Sequence, residues 1–168
     1  MPRRMISVIG GSDSNENSLI LAEKVGEEIA RRGATVVCGG LGGVMEAVCR
    51  GAKKHGGLTI GLLPTLDKEH ANEYVDVAIP TGLGYARNFL VARTGDAVIA
   101  ISGSAGTLSE MAIAWFSDKP LIALVDSGGW ASELAGKKID DRRTDVVFAA
   151  KSPEEAIDIA FKQLGWDV

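Results

Sequence analysis

Cysteine is scarce in this sequence, and the two thiols stand in no metal-binding or disulfide pattern. Cys38 and Cys49 are the only cysteines among 168 residues, and neither belongs to a CxxC motif or lies beside a pair of histidines. The spacing therefore predicts neither a disulfide framework nor a zinc site. Both cysteines are expected to be small buried side chains, and no metal site is expected.

Long hydrophobic runs and runs of like charge are also missing. The longest apolar stretches, 97–101 and 120–125, are far shorter than the roughly 20 residues that a membrane-spanning helix needs. The formal net charge is −4, which argues against a nucleic-acid-binding face. The N-terminus enters a strand at once, so no signal peptide is predicted. We expect a cytoplasmic protein with neither nucleic acid nor membrane as a partner.

Glycine is the residue type in excess. Twenty-one of the 168 residues are glycine, whereas an average protein contains roughly 7%. Most of these glycines directly follow short apolar runs, as in Gly10-Gly11 and the loop 39–43. Glycine at such a place allows the chain to turn sharply after a strand and to approach a ligand closely.

Short apolar runs alternate with segments of helical periodicity. Strands that are apolar throughout and alternate with helices indicate a parallel sheet covered on both faces. The sequence therefore predicts one α/β domain over residues 1–168, a Rossmann-like, doubly wound parallel sheet that binds a nucleotide. Strands are predicted at 5–9, 35–38, 59–63, 75–79, 97–101, 120–125 and 146–149, and helices at 21–30, 45–52, 85–93, 107–117 and 153–164.

Three glycine-rich turns, 10–12, 39–43 and 102–107, follow predicted strands. In open α/β sheets the ligand binds outside the carboxyl ends of the strands, where the strand order reverses. None of the turns is a P-loop or carries a full dinucleotide-binding fingerprint. The third turn is the best candidate for an anion site, because backbone N–H groups at a helix start and the Thr107 hydroxyl can hold a phosphate. A purely structural role for the same glycines stays open.

Glu110 has two interpretations that the sequence leaves open. Thr107-x-x-Glu110 matches a capping box, which starts a helix and needs no substrate. A carboxylate at the start of that helix could instead act on a ligand held by the turn. Arg87 is either a solvated or ion-paired residue of an apolar helix, or a ligand for phosphate.

Taken together, three segments resemble one known group of proteins. The order and spacing of the segments 39–45, 82–88 and 102–110 are similar to those of the lonely-guy family of cytokinin-activating phosphoribohydrolases. The resemblance extends to the wider superfamily that joins this family to DNA-processing protein A. Within it, the chain resembles bacterial members of unassigned function and the algal molybdenum-cofactor carrier protein. Residues 102–110 correspond to the family pattern PGGxGTxxE, and Arg87 falls at the family's catalytic arginine.

The resemblance implies a nucleoside 5′-monophosphate phosphoribohydrolase, which hydrolyses the N-glycosidic bond to the free base and ribose 5-phosphate. Arg87 and Glu110 would be catalytic, and no cofactor would be required. A carboxylate near the ribose can activate water or stabilise an oxocarbenium ion, as in other glycoside hydrolases. The expected ligand-binding residues are Gly11, Ser12, Gly39, Gly40, Gly43, Asn88, Gly103, Ser104, Ala105, Gly106 and Thr107.

Two departures from the family pattern keep a second function open. Ser102-Gly103-Ser104 stands where the family has Pro-Gly-Gly, and Asn88 stands where it has lysine. The alternative is a carrier of a phosphorylated cofactor, such as a molybdopterin-like ligand, or a nucleotide sensor, without turnover. Apolar residues around Arg87 and Trp115 suit a homodimer, which the resemblance also implies.

Overall fold

A computed structural model describes residues 1–166. Over these residues the chain forms a seven-stranded sheet in which every neighbouring pair of strands is parallel. The strand order is β4-β3-β2-β1-β5-β6-β7. The strands are β1 (Met5–Gly10), β2 (Thr35–Cys38), β3 (Thr59–Leu63), β4 (Val77–Pro80), β5 (Ala97–Ile101), β6 (Leu121–Leu124) and β7 (Phe148–Ala150).

Helices cover both faces of the sheet, as a doubly wound fold requires. One hydrophobic cluster joins the sheet to the first, second and sixth helices, and another joins its opposite face to the third, fourth and fifth. Within the described residues, no helix is both long and apolar enough to cross a bilayer. The helices are α1 (Glu16–Arg31), α2 (Val44–Lys54), α3 (Arg87–Thr94), α4 (Ala105–Phe116), α5 (Gly129–Leu134) and α6 (Pro153–Leu164).

The central strand β5 explains why the apolar runs are continuous rather than alternating. Ala97, Ile99 and Ile101 belong to the cluster under α1, α2 and α6, whereas Val98 and Ala100 belong to the cluster under α3, α4 and α5. Successive side chains of a strand point to opposite faces. Because both faces are covered, every position of β5 is buried and apolar, which confirms the predicted Rossmann-like α/β class.

The strand order reverses at β1. Residues of β1 pair with β2 on one side, as in Met5 with Thr35, and with β5 on the other, as in Ile6 with Ala97. The chain runs outward from β1 to β4 and then returns to β5 on the opposite side. The connections that leave β1 and β5 therefore diverge at the carboxyl edge of the sheet, and a crevice opens there.

Several predicted boundaries were wrong by one or more residues. The fourth strand covers Val77–Pro80 instead of 75–79, and the sixth ends at Leu124 because a 3-10 turn begins at Val125. The fourth helix begins at Ala105 instead of Thr107. The polar segment 126–143, predicted without regular structure, contains the short helix α5.

Candidate functional site

A cavity of about 520 Å³ lies at the crevice between the carboxyl ends of β1 and β5. Its volume falls in the range of roughly 300–1,000 Å³ that is typical of small-molecule sites. Glycine-rich turns form part of its wall, and polar and apolar side chains complete it. The lining residues are Val8, Ile9, Gly10, Gly11, Ser12, Asp13, Gly39, Leu41, Met45, Pro64, Gly84, Tyr85, Arg87, Asn88, Ser104, Gly106, Thr107 and Glu110.

The first turn of α4 brings backbone donors to this cavity. The N-cap residue is Ser104, whose side chain makes no capping hydrogen bond, and the Leu108 N–H donates to the Ser104 carbonyl at 3.0 Å. This is the first hydrogen bond of the helix. The N–H groups of Ala105, Gly106 and Thr107 come earlier in the chain, so they have no acceptor within the helix. Their partial positive charge makes the helix start suited to an anion.

The turn before α4 is fixed by the segment that follows β6. Ser102 adopts φ 53° and Gly103 adopts φ 98°. The Ser102 N–H donates to Ser127 Oγ at 2.8 Å, and the Trp130 N–H donates to the Gly103 carbonyl at 3.1 Å. Proline, with φ locked near −65°, could not adopt the conformation of Ser102. Serine at position 102 therefore permits a turn that proline at the same position could not form.

The capping-box interpretation of Thr107 and Glu110 is wrong. Helix α4 starts at Ala105, so Thr107 is its third residue and Glu110 its sixth. A capping box requires the threonine at the N-cap position and the glutamate at the third helical position. Glu110 lies too far into the helix to bond the N-cap N–H, and its side chain faces the cavity instead.

Glu110 is a buried acid with an unusual protonation equilibrium. Its residue is only 7% exposed, and within residues 1–166 no hydrogen bond to its carboxyl group is found. Burial raises the pKa of Glu110 to about 8, and the nearby positive charge of Arg87 opposes this shift only partly. Glu110 is therefore mostly a neutral carboxylic acid at pH 7, able to donate a proton.

Arg87, the first residue of α3, is held by three neutral oxygen atoms. Its Nε donates to the Leu62 carbonyl at 2.8 Å, Nη2 donates to the Gly39 carbonyl at 3.4 Å, and Nη1 donates to Asn88 Oδ1. A guanidinium has five N–H donors, so two remain for a ligand. Burial lowers the pKa of Arg87, although an arginine stays charged at neutral pH.

The structure places nine of the thirteen predicted site residues in the cavity wall, and the other four lie outside it. Gly40, Gly43 and Gly103 lie where a Cβ atom would collide with packed neighbours: 2.8 Å from Leu63 Cδ2, 2.4 Å from the Gly11 carbonyl and 2.3 Å from Thr107 Cβ, respectively. These glycines allow the turns to pack. Ala105 is exposed at the start of α4. In the wall are Gly11, Ser12, Gly39, Arg87, Asn88, Ser104, Gly106, Thr107 and Glu110.

Sequence reasoning missed other wall residues, among them Asp13 and Tyr85. Both are neighbours of predicted site residues, Asp13 after Ser12 and Tyr85 two positions before Arg87, and proximity in sequence was the signal available for finding them. Met45 is buried and also faces the cavity. Tyr85 is 91% exposed, which places an aromatic ring at the cavity mouth.

Solved structures share this fold over almost the whole chain. A molybdenum-cofactor-binding protein from Rippkaea orientalis is 36% identical with a TM-score of 0.87, and the match covers 98% of this chain and 99% of that one. The molybdenum cofactor carrier protein of Chlamydomonas reinhardtii is 31% identical with a TM-score of 0.84, and the match covers 97% and 99%. DNA processing protein A from Helicobacter pylori, 24% identical with a TM-score of 0.63, shares the fold alone.

A curated relative carries the name of an enzyme. The cytokinin riboside 5′-monophosphate phosphoribohydrolase of Mycobacterium marinum is 35% identical over 133 residues, and the match covers 70% of this chain and 71% of that protein. The resemblance to the lonely-guy group, with molybdenum-cofactor carrier proteins and DNA processing protein A as structural neighbours, is thus confirmed. The chain belongs to the SLOG cluster4 family, whose sequence model matches residues 3–157.

Proposed function

We propose that this chain binds a nucleoside 5′-monophosphate, or a chemically related phosphate ester, and hydrolyses its N-glycosidic bond. The products are the free base and ribose 5-phosphate. The observation that carries the proposal is a buried acid, Glu110, and a buried cation, Arg87, facing one cavity beside the start of α4. A relative that is named a phosphoribohydrolase adds support.

The phosphate binds at the first turn of α4 in this proposal. The unbonded N–H groups there and the two free donors of Arg87 supply hydrogen bonds and positive charge. Ser12, two residues after β1, adds a hydroxyl from another segment of the cavity wall. Charge-assisted hydrogen bonds of this kind are shorter and stronger than neutral ones, so they fix the ligand at its phosphate end.

Glu110 acts as general acid and then as general base. The protonated carboxyl donates its proton to a ring nitrogen of the base while the bond from that base to ribose C1′ breaks. The carboxylate left behind stabilises the positive charge that develops at C1′, and Arg87 stabilises the carboxylate. Water then attacks C1′ and returns a proton to Glu110. A pKa of about 8 suits this exchange near neutral pH.

Incubation of the purified protein with AMP, GMP, CMP and UMP tests the proposal. Chromatography of the products should show free base and ribose 5-phosphate in equal amounts from at least one nucleotide. The matching nucleosides, which lack the phosphate, are the control and should be poor substrates. Absence of base release from all the nucleotides, when the protein binds one of them tightly, would contradict hydrolysis.

A carrier function is the second candidate, favoured by one observation. Two structural neighbours that match nearly the full length are named as a molybdenum-cofactor-binding protein and a molybdenum cofactor carrier protein. A phosphorylated pterin is also an anion with a flat ring, so the same cavity suits it. In this case a phosphorylated cofactor should co-purify with the protein and stay intact, which mass spectrometry of the denatured protein would detect.

We also propose that the protein is a homodimer in the cytoplasm. Phe89 and Leu90 of α3 and Phe116 of α4 are large apolar residues that are about 40% exposed, and burying such side chains against a second copy removes apolar surface from water. Sedimentation should give the mass of a dimer, and Leu90→Asp should give a monomer. A wild-type protein that stays monomeric at high concentration would contradict this proposal.

A further inference from the structure

Arg87 keeps its charge uncompensated because the groups that hold it are neutral. Its three acceptors are two backbone carbonyls and the side-chain oxygen of Asn88. Within residues 1–166, no carboxylate lies within the 4.0 Å that defines an ion pair with Arg87. Burying an uncompensated charge is costly, so an arginine held in this way favours an anionic ligand.

Asn88 makes a chain of hydrogen bonds whose direction is fixed. Its Oδ1 faces Arg87, which has only donors, so the oxygen accepts and Nδ2 is left to donate. Nδ2 donates to Ser109 Oγ at 3.3 Å. The Ser109 hydroxyl donates its single hydrogen to the Gly106 carbonyl at 2.6 Å, so toward Asn88 it acts as an acceptor.

This chain connects the two parts of the cavity that would hold an anion. Arg87 stands at its one end and Gly106, in the first turn of α4, at the other. Asn88 is only 6% exposed. Its bond with Arg87 is buried, whereas its bond with Ser109, an exposed residue, is partly buried. A shift of the side chain of Asn88 would therefore move the guanidinium relative to the helix start.

We infer that Asn88 is a positioning residue: it aims Arg87 at the ligand's phosphate and, as a neutral acceptor, leaves the charge of Arg87 available to that phosphate. The inference rests on the proposed function in one respect, that the ligand is an anion. Asn88 itself need not touch the ligand for this role.

The substitution Asn88→Asp separates this role from a merely structural one. Aspartate keeps an acceptor oxygen for Arg87 but pairs its charge, whereas Asn88→Ala removes the hydrogen bonds and leaves the charge. We expect Asn88→Asp to weaken the binding of ribose 5-phosphate at least 10-fold, and more than Asn88→Ala does, in calorimetric titrations. If only hydrogen bonding and packing mattered, alanine would be the more damaging change. That order of affinities would overturn the inference.

A second measurement needs no ligand. In the wild-type protein the charge of Arg87 lowers the pKa of Glu110. In Asn88→Asp the new carboxylate compensates this charge. The pKa of Glu110, followed by NMR of the labelled carboxyl carbon, should therefore rise above its wild-type value in Asn88→Asp. An unchanged pKa would overturn the inference. If the wild-type protein binds no phosphate ester at all, the proposed function fails, and this titration still tests whether a charge at position 88 acts on the site of Glu110.

A matched pair of serines on α4 covers the case in which Asn88→Asp does not fold. Ser109 belongs to the hydrogen-bond chain, whereas Ser117, at the end of the same helix, has a buried hydroxyl without a partner among the described residues. Ser109→Ala should weaken the binding of ribose 5-phosphate by about 2- to 5-fold, and Ser117→Ala should leave it unchanged. Equal affinities of the two variants would contradict the inference.

Discussion

The guanidinium of Arg87 and the carboxyl group of Glu110 line one cavity without forming an ion pair. Each residue is less than a tenth exposed, and each shifts the pKa of the other through its charge. Both residues line the same cavity, so a ligand bound there can contact both groups.

Glu110→Gln should change how the stability of the protein depends on pH. The pKa of Glu110 in the fold, about 8, lies above its ordinary value near 4.5, so the fold holds this proton more tightly than the unfolded chain does. The protonated form contributes stability that is fully present below pH 4.5 and is lost as the pH rises to about 8. At roughly 1.4 kcal/mol per pKa unit, the full loss amounts to a few kcal/mol.

Urea unfolding at pH 5, 7 and 9 measures this effect. The free energy of unfolding of the wild type should fall across the series relative to that of Glu110→Gln. Glutamine does not titrate, so the variant should be the more stable protein at pH 9 and close to the wild type at pH 5. Parallel profiles of the two proteins would show that Glu110 ionises at its ordinary pKa.

Gly39→Ala should displace Arg87 and weaken ligand binding. A Cβ atom at Gly39 would lie 2.7 Å from Arg87 Nη2 and 2.7 Å from Met45 Sδ. Both atoms are ends of flexible side chains, so we expect them to move and the fold to persist. The affinity for ribose 5-phosphate should fall by about 10-fold, because a charge-assisted hydrogen bond contributes roughly 1.5–3 kcal/mol.

Gly42 offers a matched control in the same loop. A Cβ atom added at Gly42 meets nothing within 4 Å, and Gly42 does not belong to the cavity wall. Calorimetry should therefore give wild-type affinity for Gly42→Ala. Equal losses in the two variants would mean that loop flexibility, rather than the position of Arg87, governs binding.

Tyr85→Ala should weaken the binding of a nucleotide but not that of ribose 5-phosphate. The ring of Tyr85 is 91% exposed and stands at the cavity mouth, where it can stack on the base of a bound nucleotide. Stacking of a base on an aromatic side chain contributes roughly 1–3 kcal/mol, which corresponds to a loss of about 5- to 150-fold in AMP affinity. Tyr85→Phe keeps the ring and should bind both ligands normally. Equal losses of affinity for AMP and ribose 5-phosphate would show that Tyr85 does not stack on the base.

The spacing Ser/Thr-x-x-Glu marks the start of one helix of this chain but not of another. At α6, which covers the predicted range 153–164, Ser152 is the N-cap, its Oγ accepts from the Glu155 N–H at 3.1 Å, and Pro153 is the first helical residue. At α4, Thr107-x-x-Glu110 has the same spacing, but the helix begins earlier, after the turn that Ser127 and Trp130 hold. Those two residues are distant in sequence, so a local pattern could not reveal their effect.

The fold was more predictable than the chemistry of the site. Strands such as β5 are buried on both faces, so a continuous apolar run followed by glycine identifies them. The environment of Arg87 depends on Leu62 and Gly39, which are 25 and 48 residues away along the chain. The pKa of Glu110 depends mainly on burial by the folded chain, which spacing alone does not give.

The pH dependence of base release from AMP, for the wild type and Glu110→Gln, tests the central claim most directly. The rate of the wild type should fall above pH 8, because Glu110 then lacks the proton that it donates. Glu110→Gln should release base about 100-fold more slowly and still bind ribose 5-phosphate with wild-type affinity at pH 7, where Glu110 is mostly neutral. An unchanged rate of base release in Glu110→Gln would contradict the account, and so would a wild-type rate that does not fall above pH 8.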